Sequence, residues 1–464
     1  MRSTTWMWLS ASLIGTAVAG AALNSTAAPG PGRTRPSERI RLENPGVDGW
    51  RAEFPGAKNR WRTRPARGFD RLALPDRFFV PIFDTVKKPR KVVGRVRRGV
   101  ALSARAVPSA GKCYDLGKKG TWYEVEGGGV ICSTSGFDIV KTASRLSPPQ
   151  ANPRVDDIIP FEYARVTQKG AIRASRKPTL RQWNALASIG GPKDDPSGLM
   201  VERMIGDFFL SVDTDVQISG RDFTRNVHNE YSESKALTPK PAPPLRGERL
   251  GGDRRLPLAF VHIEDGTEIL CANSSDPCGV AEKHYRFQPS GYITLRGVKY
   301  ARGPRDTLIP VDALRIIQKR KRPPGVNPSD KWVHIDLAKQ TFVAYEGNTP
   351  VYASLVSSGK EGHDTPTGLY RMQRKYLTKT MRAVDPKEGL YHIEDIPYVM
   401  YYYGAYALHG AFWHNTFGNV RSHGCTNLPP ADARWLYHWS DSPVPGPWHA
   451  RENIQRGTAF YFSN

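Results

Sequence analysis

The chain has 464 residues, 39% of them apolar and 10% aromatic, and carries a net charge of +23. The length exceeds what one hydrophobic core ordinarily spans, so roughly three domains are expected. The apolar fraction excludes a wholly disordered chain, and the 43 glycines and 38 prolines favour turn-rich β-structure over long helices.

Such a charge suits an anionic partner: nucleic acid, an acidic membrane surface or an acidic cell-wall polymer. The basic residues are scattered through loops, with no RNP, zinc-finger or helix-turn-helix pattern, so nucleic acid is not expected. Met1-Arg2 is a short basic start, and Trp6 to Ala22 is an apolar run broken by Ser and Thr. Ala17-Val18-Ala19 makes an A-x-A cleavage site, with Gly20-Ala21-Ala22 as a rival. Residues 1–22 therefore read as a secretory signal peptide. The run is short for a permanent span, no lipobox cysteine is present, and no later stretch is apolar enough to cross a bilayer. The expectation is export to the periplasm or cell wall, with no stable membrane span after signal cleavage.

Residues 23–90 are Pro- and Arg-rich and open on Ala28-Pro29-Gly30-Pro31-Gly32, which predicts an arm or linker. Its Trp50, Phe54, Trp61 and Phe69 suggest some packing on a later domain. From residue 91 short strands are expected at Lys91–Val96 and Val100–Arg105. Thr121–Val125 and Val130–Cys132 flank the Gly127-Gly128-Gly129 turn, a hairpin signal. The order of a strand, Arg105-x-x-Pro108-Ser109 and Gly120-x-Trp122-Tyr123-x-Val125 resembles bacterial SH3-like domains, small β-barrels, over residues 91–145.

Residues 146–325 predict a second β-rich accessory region, in shape a further SH3-like barrel. Strands are expected at Asp207–Asp213 and Tyr285–Ile293, and Val311–Ile317 is a short amphipathic piece. A proline-rich break falls near 238–256, and Lys319 to Pro324 is a solvated linker. Of five cysteines, Cys113 with Cys132 and Cys271 with Cys278 form two local pairs, and Cys425 is left over. The expected disulfides are Cys113–Cys132 and Cys271–Cys278, with a free thiol at Cys425; four unpaired buried thiols are the alternative.

Over 329–464 the pattern sharpens. Trp332–Leu337 and Gln340–Tyr345 alternate, and Gly347-Asn348 turns the chain into Val351–Val356, an antiparallel meander. Tyr398–Leu408 is a further aromatic strand region. Pro430 opens a helix with Trp435, Leu436 and Trp439 on one face. Between these lie His409-Gly410-Ala411-Phe412-Trp413-His414 and Ser422-His423-Gly424-Cys425-Thr426-Asn427. A cysteine acts as a nucleophile when a neighbouring imidazole takes its proton. Gly424 permits a tight turn whose successive N–H groups can face an oxyanion. His409, at a strand end, is positioned to be the base, with a carbonyl at Gly410 to hold its ring. Two other readings compete: a metal site of His409, His414, His423 and Cys425, and a buried cysteine among structural histidines.

His-Gly-Ala-Phe-Trp at 409–413 with Ser-His-Gly-Cys-Thr-Asn at 422–427 resembles the signature of the L,D-transpeptidase family, the YkuD-type catalytic domain. Lys331–Leu337, Gln340-Thr341 and Thr365-Pro366-Thr367-Gly368 fall where that family has its first strands and its T-P-x-G segment. The resemblance implies Cys425 as acylated nucleophile, His409 as base and the Gly410 carbonyl as its orienter. It implies N–H groups of His423, Gly424 and Cys425 as oxyanion hole, and Ser422 and Trp413 in the substrate pocket. Asn427 stands where many members carry Arg. The segment Tyr376–Tyr398 resembles the family's lid, so Tyr391 and Tyr403 are candidate substrate contacts.

The activity implied is peptidoglycan transpeptidation without metal or organic cofactor. A tetrapeptide stem forms a thioester on Cys425 and passes to an amine acceptor, a stem peptide giving a 3→3 cross-link or a protein. Inhibition by carbapenem-type β-lactams is also implied. Hydrolysis by an L,D-carboxypeptidase, protein anchoring and an inactive wall-binding protein are the alternatives. A papain-like peptidase is disfavoured because His409 precedes Cys425. The fold class expected is mainly β and multidomain: SH3-like barrels, then a β-rich catalytic domain with a short packing helix.

Overall fold

The computed structural model describes residues 40–44, 63–115, 117–143, 152–205, 207–383 and 390–464. The expected signal peptide, residues 1–22, and the 23–39 and 45–62 stretches of the expected arm lie outside them. Among the described residues the protein is mainly β, with two α-helices, Leu180–Ala187 and Pro430–Trp439. Among the described residues no helix is long and apolar enough to cross a membrane.

The stretch expected as an arm contains sheet. Strand Arg71–Pro75 pairs antiparallel with Leu102–Ala106 and Phe137–Val140, and Phe79–Phe83 pairs with Val92–Arg97. Arg and Pro around these segments hide a period-two pattern in which Val80 and Ile82 point inward. They share a core with Val96, Leu102, Val125 and Ile131. The Cys113–Cys132 disulfide ties two strands of this unit against Trp122.

The region expected as one accessory unit is two β units. The first runs from Glu162–Val166 to Leu237–Pro239. It contains helix Leu180–Ala187, whose Thr179 and Gln182 exchange side-chain and backbone hydrogen bonds as a capping box. Strand Asp207–Ile218 is longer than the expected Asp207–Asp213. The second unit spans Leu258–Ile317 and takes in strand Ile40–Leu42, which pairs in parallel with Pro277–Ala281. Cys271–Cys278 closes a hairpin of this unit. The strand expected at Tyr285–Ile293 divides into Arg286–Phe287 and Tyr292–Leu295. Val311–Ile317 is a 3-10 turn followed by strand Leu314–Ile317.

The proline-rich stretch near 238–256 is packed and not a free hinge. Leu245 is buried in the C-terminal core, and Glu248–Arg249 adds an edge strand to Thr349–Leu355. Prolines are tolerated there because edge positions need no further ladder donors.

In the C-terminal domain one sheet centres on Lys331–Asp336, antiparallel to Thr341–Glu346 and parallel to Ala459–Ser463. A second sheet carries Arg374–Ala383, Tyr391–Tyr403, Tyr406–Gly410 and Thr426–Leu428. Val333, Phe342, Met400, Leu408 and Leu436 meet in the core between them, each such burial worth about 1.5–3 kcal/mol. Helix Pro430–Trp439 is buried at nine of its ten positions, so it is enclosed and not half-exposed on one sheet. Trp435 stacks on Tyr352 at 4.2 Å.

The expected lid is a long hairpin of Arg374–Ala383 and Tyr391–Tyr403; its connection, 384–389, lies outside the described residues. The first accessory unit docks here, with Asp207–Phe209 running parallel to Tyr391–Ile393. Beneath this junction Arg173 donates to Glu394 at 2.7 Å and also pairs with Glu202. Asn226 donates to Glu394 at 2.9 Å, and Ser211 Oγ donates to Asp395 at 2.8 Å. His228 Nε2 meets Asp395 at 2.8 Å. Burial opposes charge on His228, but Asp395, Glu394 and Glu230 outweigh it and raise its pKa to about 9.

Candidate active site

His409 closes strand Tyr406–Gly410, and Cys425 immediately precedes strand Thr426–Leu428. These strands pair in parallel with Leu408 opposite Thr426 and His409 opposite Asn427. Extending that register sets Cys425 beside Ala407, two residues from His409, so both side chains leave the same face. Both line a cavity of about 520 Å³.

The turn before Cys425 is held from several sides. Arg421 and Ser422 N–H groups both donate to the Ser358 carbonyl at 2.9 Å. Gln340 fixes Ser358 by accepting from its N–H at 2.7 Å and donating to its hydroxyl at 2.6 Å. Thr365 Oγ1 donates to the Gly424 carbonyl at 2.7 Å, so the T-P-x-G segment buttresses the loop. Gly424 has φ +111°, and a Cβ there would meet Tyr406 Cε1 at 2.8 Å. Glycine is required at this position.

Ser422 lines the cavity and locks the turn: its hydroxyl donates to the Cys425 carbonyl and accepts the Gly424 N–H, the latter at 3.1 Å. This corrects the expected oxyanion set, because the Gly424 N–H is directed to Ser422 and not into the cavity. The Cys425 N–H makes no intramolecular hydrogen bond among the described residues.

Cys425 is the free cysteine of the described residues. Burial pushes its thiol up to about 11, with the Ala407 N–H pulling the other way. Its Sγ points at the Ala405 carbonyl at 3.7 Å. Burial lowers His409 to about 4, and the Gly410 carbonyl opposes that shift. No acceptor among the described residues meets Nδ1 in good hydrogen-bonding geometry. The Gly410 carbonyl is the group that favours the protonated ring, through a backbone hydrogen bond outside ideal geometry at Nδ1. Burial thus favours the neutral form of both thiol and imidazole.

His414 is engaged elsewhere. Its Nδ1 lies 3.3 Å from the Thr416 backbone nitrogen and 3.1 Å from Thr416 Oγ1, and its Nε2 lies 2.8 Å from Asn427 Nδ2. With both nitrogens used, His414 is no ligand for the metal set considered above. Trp413 lines the cavity 5.7 Å from the His409 ring, and Asn427, His423 and Tyr391 line it as well. Tyr391 packs on His423 at 5.4 Å. Tyr403 does not join them: it is 52% exposed on the outer turn and packs on Tyr370 at 5.3 Å. It ends the strand that Tyr391 begins, so it lies far along the sheet from the cavity.

Residues 330–451 match the family model of the YkuD L,D-transpeptidase catalytic domain. These residues are a YkuD-type catalytic domain. Among solved structures, an Enterococcus faecium L,D-transpeptidase C442S mutant aligns at 19% identity and TM-score 0.25, over 32% of this chain and 55% of that one. An L,D-transpeptidase from Stackebrandtia nassauensis aligns at 22% and 0.22, over 32% and 58%. One from Mycobacterium tuberculosis H37Rv aligns at 15% and 0.24, over 39% and 73%. The chain thus spans little more than half of the Enterococcus and Stackebrandtia proteins. No curated protein matches it.

The cavity of the YkuD domain is not closed by the YkuD domain alone. Arg165, Asp207 and Phe209 of the first accessory unit form part of its wall. Phe209 faces Trp413 at 6.5 Å, and Tyr163 stacks on Phe412 at 3.7 Å. Nothing in the local sequence marks these residues as part of a site; only the parallel pairing of Asp207–Phe209 with Tyr391–Ile393 brings them there.

Proposed function

We propose that the protein is an exported peptidoglycan L,D-transpeptidase. The observation that carries this is the parallel pairing that sets Cys425 and His409 on one face of one cavity within a YkuD domain. His409 takes the Cys425 proton as sulfur attacks the carbonyl of the third residue of a tetrapeptide stem. The developing oxyanion is met by the Cys425 N–H, with that of His423 beside it. The C–N bond to the terminal D-Ala breaks, and His409-H⁺ protonates the departing amine. A thioester remains on Sγ. An amine of a second stem then attacks, gives its proton to His409 and displaces the thiol, leaving a 3→3 cross-link. No step calls for a cofactor. Ser422 holds the loop, Trp413 and Tyr391 wall the peptide, and Asn427 faces it from the cavity floor beside His409.

Because burial favours the neutral thiol and imidazole, alkylation of Cys425 by iodoacetamide rises with pH through the neutral range toward about 11. A thiolate–imidazolium pair would instead give a plateau from acid pH. Disaccharide-tetrapeptides incubated with the mature protein are expected to release D-Ala and yield cross-linked dimers, read by mass spectrometry. Hydrolysed tripeptide alone would make the enzyme a carboxypeptidase. Undiminished D-Ala release by Cys425→Ala would overturn the assignment.

A further inference from the structure

We infer that Arg165, from an accessory unit outside the catalytic domain, reads a free carboxylate of the peptide held in the Cys425 cavity. This rests on the function proposed above.

Arg165 lies on strand Glu162–Val166, opposite Phe209 of Asp207–Ile218, and lines the cavity with that residue. Its Nη2 meets Asp207 at 3.1 Å, a contact that engages one edge of the guanidinium. The fork has five N–H donors, so most stay open to a second, bidentate acceptor. The charged lining is unbalanced: Arg165, Lys360 and Arg421 face Asp207 alone. A further cation stands behind them. Lys240 donates its N–H to the Tyr163 carbonyl at 2.7 Å, just past the strand residue Thr238 that pairs with Arg165. Burial lowers the pKa of Lys240, and the charges of Arg165 and Arg421 lower it further. Cations gathered against one carboxylate repel one another until an anion enters. Arg165 also lines a second cavity of about 510 Å³, with Val166 to Lys169 and Met204. A peptide leaving the Cys425 cavity on that side passes the guanidinium.

A stem peptide offers such a carboxylate from two sources, its C-terminus and the side chain of a diaminopimelate at the third position. Binding is measured by calorimetry on Cys425→Ala and on Cys425→Ala/Arg165→Gln. The probes are a synthetic diaminopimelate tetrapeptide acid, its C-terminal amide and its side-chain amide. On the parent, one amide is expected to bind more weakly than the acid, and that amide names the source. Arg165→Gln should weaken the acid about three- to tenfold and leave that amide unchanged. Arg165→Lys should restore part of the loss. In protein that keeps Cys425, iodoacetamide labelling should be the same with and without the single substitution Arg165→Gln, showing the cavity intact. Equal binding of all three peptides to the parent, or equal weakening of acid and amides by Arg165→Gln, would overturn the inference. D-Ala release with no acid preference would leave the reaction standing and sink the inference. An acid preference lost in Arg165→Gln, without D-Ala release, would do the reverse.

Discussion

The loop that carries Cys425 and the wall opposite it are built at different ranges. The loop is closed by groups inside the YkuD domain: Ser422 on Gly424 and Cys425, Ser358 on Arg421 and Ser422, Thr365 on Gly424. The wall comes from Arg165, Asp207 and Phe209, some two hundred residues upstream, and is aligned by a parallel strand pair and a buried ionic cluster. Hydrogen bonds within the catalytic domain define the reacting atoms; sheet pairing with the accessory unit defines what can reach them. The same catalytic loop can therefore be given a different entrance by changing a different part of the chain.

Substitutions that strike each side separately test that division. The largest effect is expected from His409→Gln, which removes the proton acceptor: D-Ala release should fall about 10²- to 10⁴-fold with the melting temperature little changed. Next is Arg173→Met, which removes the cation that hydrogen-bonds Glu394, 1% exposed. Stranding a buried charge costs about 3–5 kcal/mol, so denaturant unfolding should show an early loss of the accessory unit. Iodoacetamide should still label Cys425 in that variant. Gly424→Ala should be milder in stability, about 1–3 kcal/mol of backbone strain, yet should cut turnover because Tyr406 must move from the cysteine loop.

The smallest effect is a pH dependence of the junction. His228 has a folded pKa raised to about 9 from an ordinary value of 6.5. Its contribution is therefore fully present below 6.5 and is lost as pH rises through about 9. Melting of the accessory unit should drop over that window in the parent and not in His228→Gln. A flat profile in the parent would remove His228–Asp395 from the account of the docking.

Much of the Cys425 loop was legible in the sequence because its meaning is carried by neighbours: a Gly beside a nucleophile, a base at a strand end, a meander with alternating apolar positions. Gly424 was misjudged because its N–H looked available until Ser422 was seen to take it. Tyr403 lies outside the cavity lining because the hairpin is long: Tyr391 begins its second strand and Tyr403 ends it. The strands at Arg71–Pro75 and Phe79–Phe83 were hidden by flanking Arg and Pro, and the proline-rich stretch hid Leu245 in the catalytic core. The accessory wall was not legible at all. Arg165 is an ordinary exposed arginine on an alternating strand until Asp207–Phe209 pairs with Tyr391–Ile393.

The most direct test of the central claim is the mass of the acyl-enzyme. Purified protein mixed with a stem tetrapeptide and quenched in acid should carry one tripeptidyl group, and peptide mapping should place it on Cys425. The His409→Gln variant should accumulate it far more slowly. An intact mass that never rises while D-Ala is released, or an adduct on any other residue, would contradict the account.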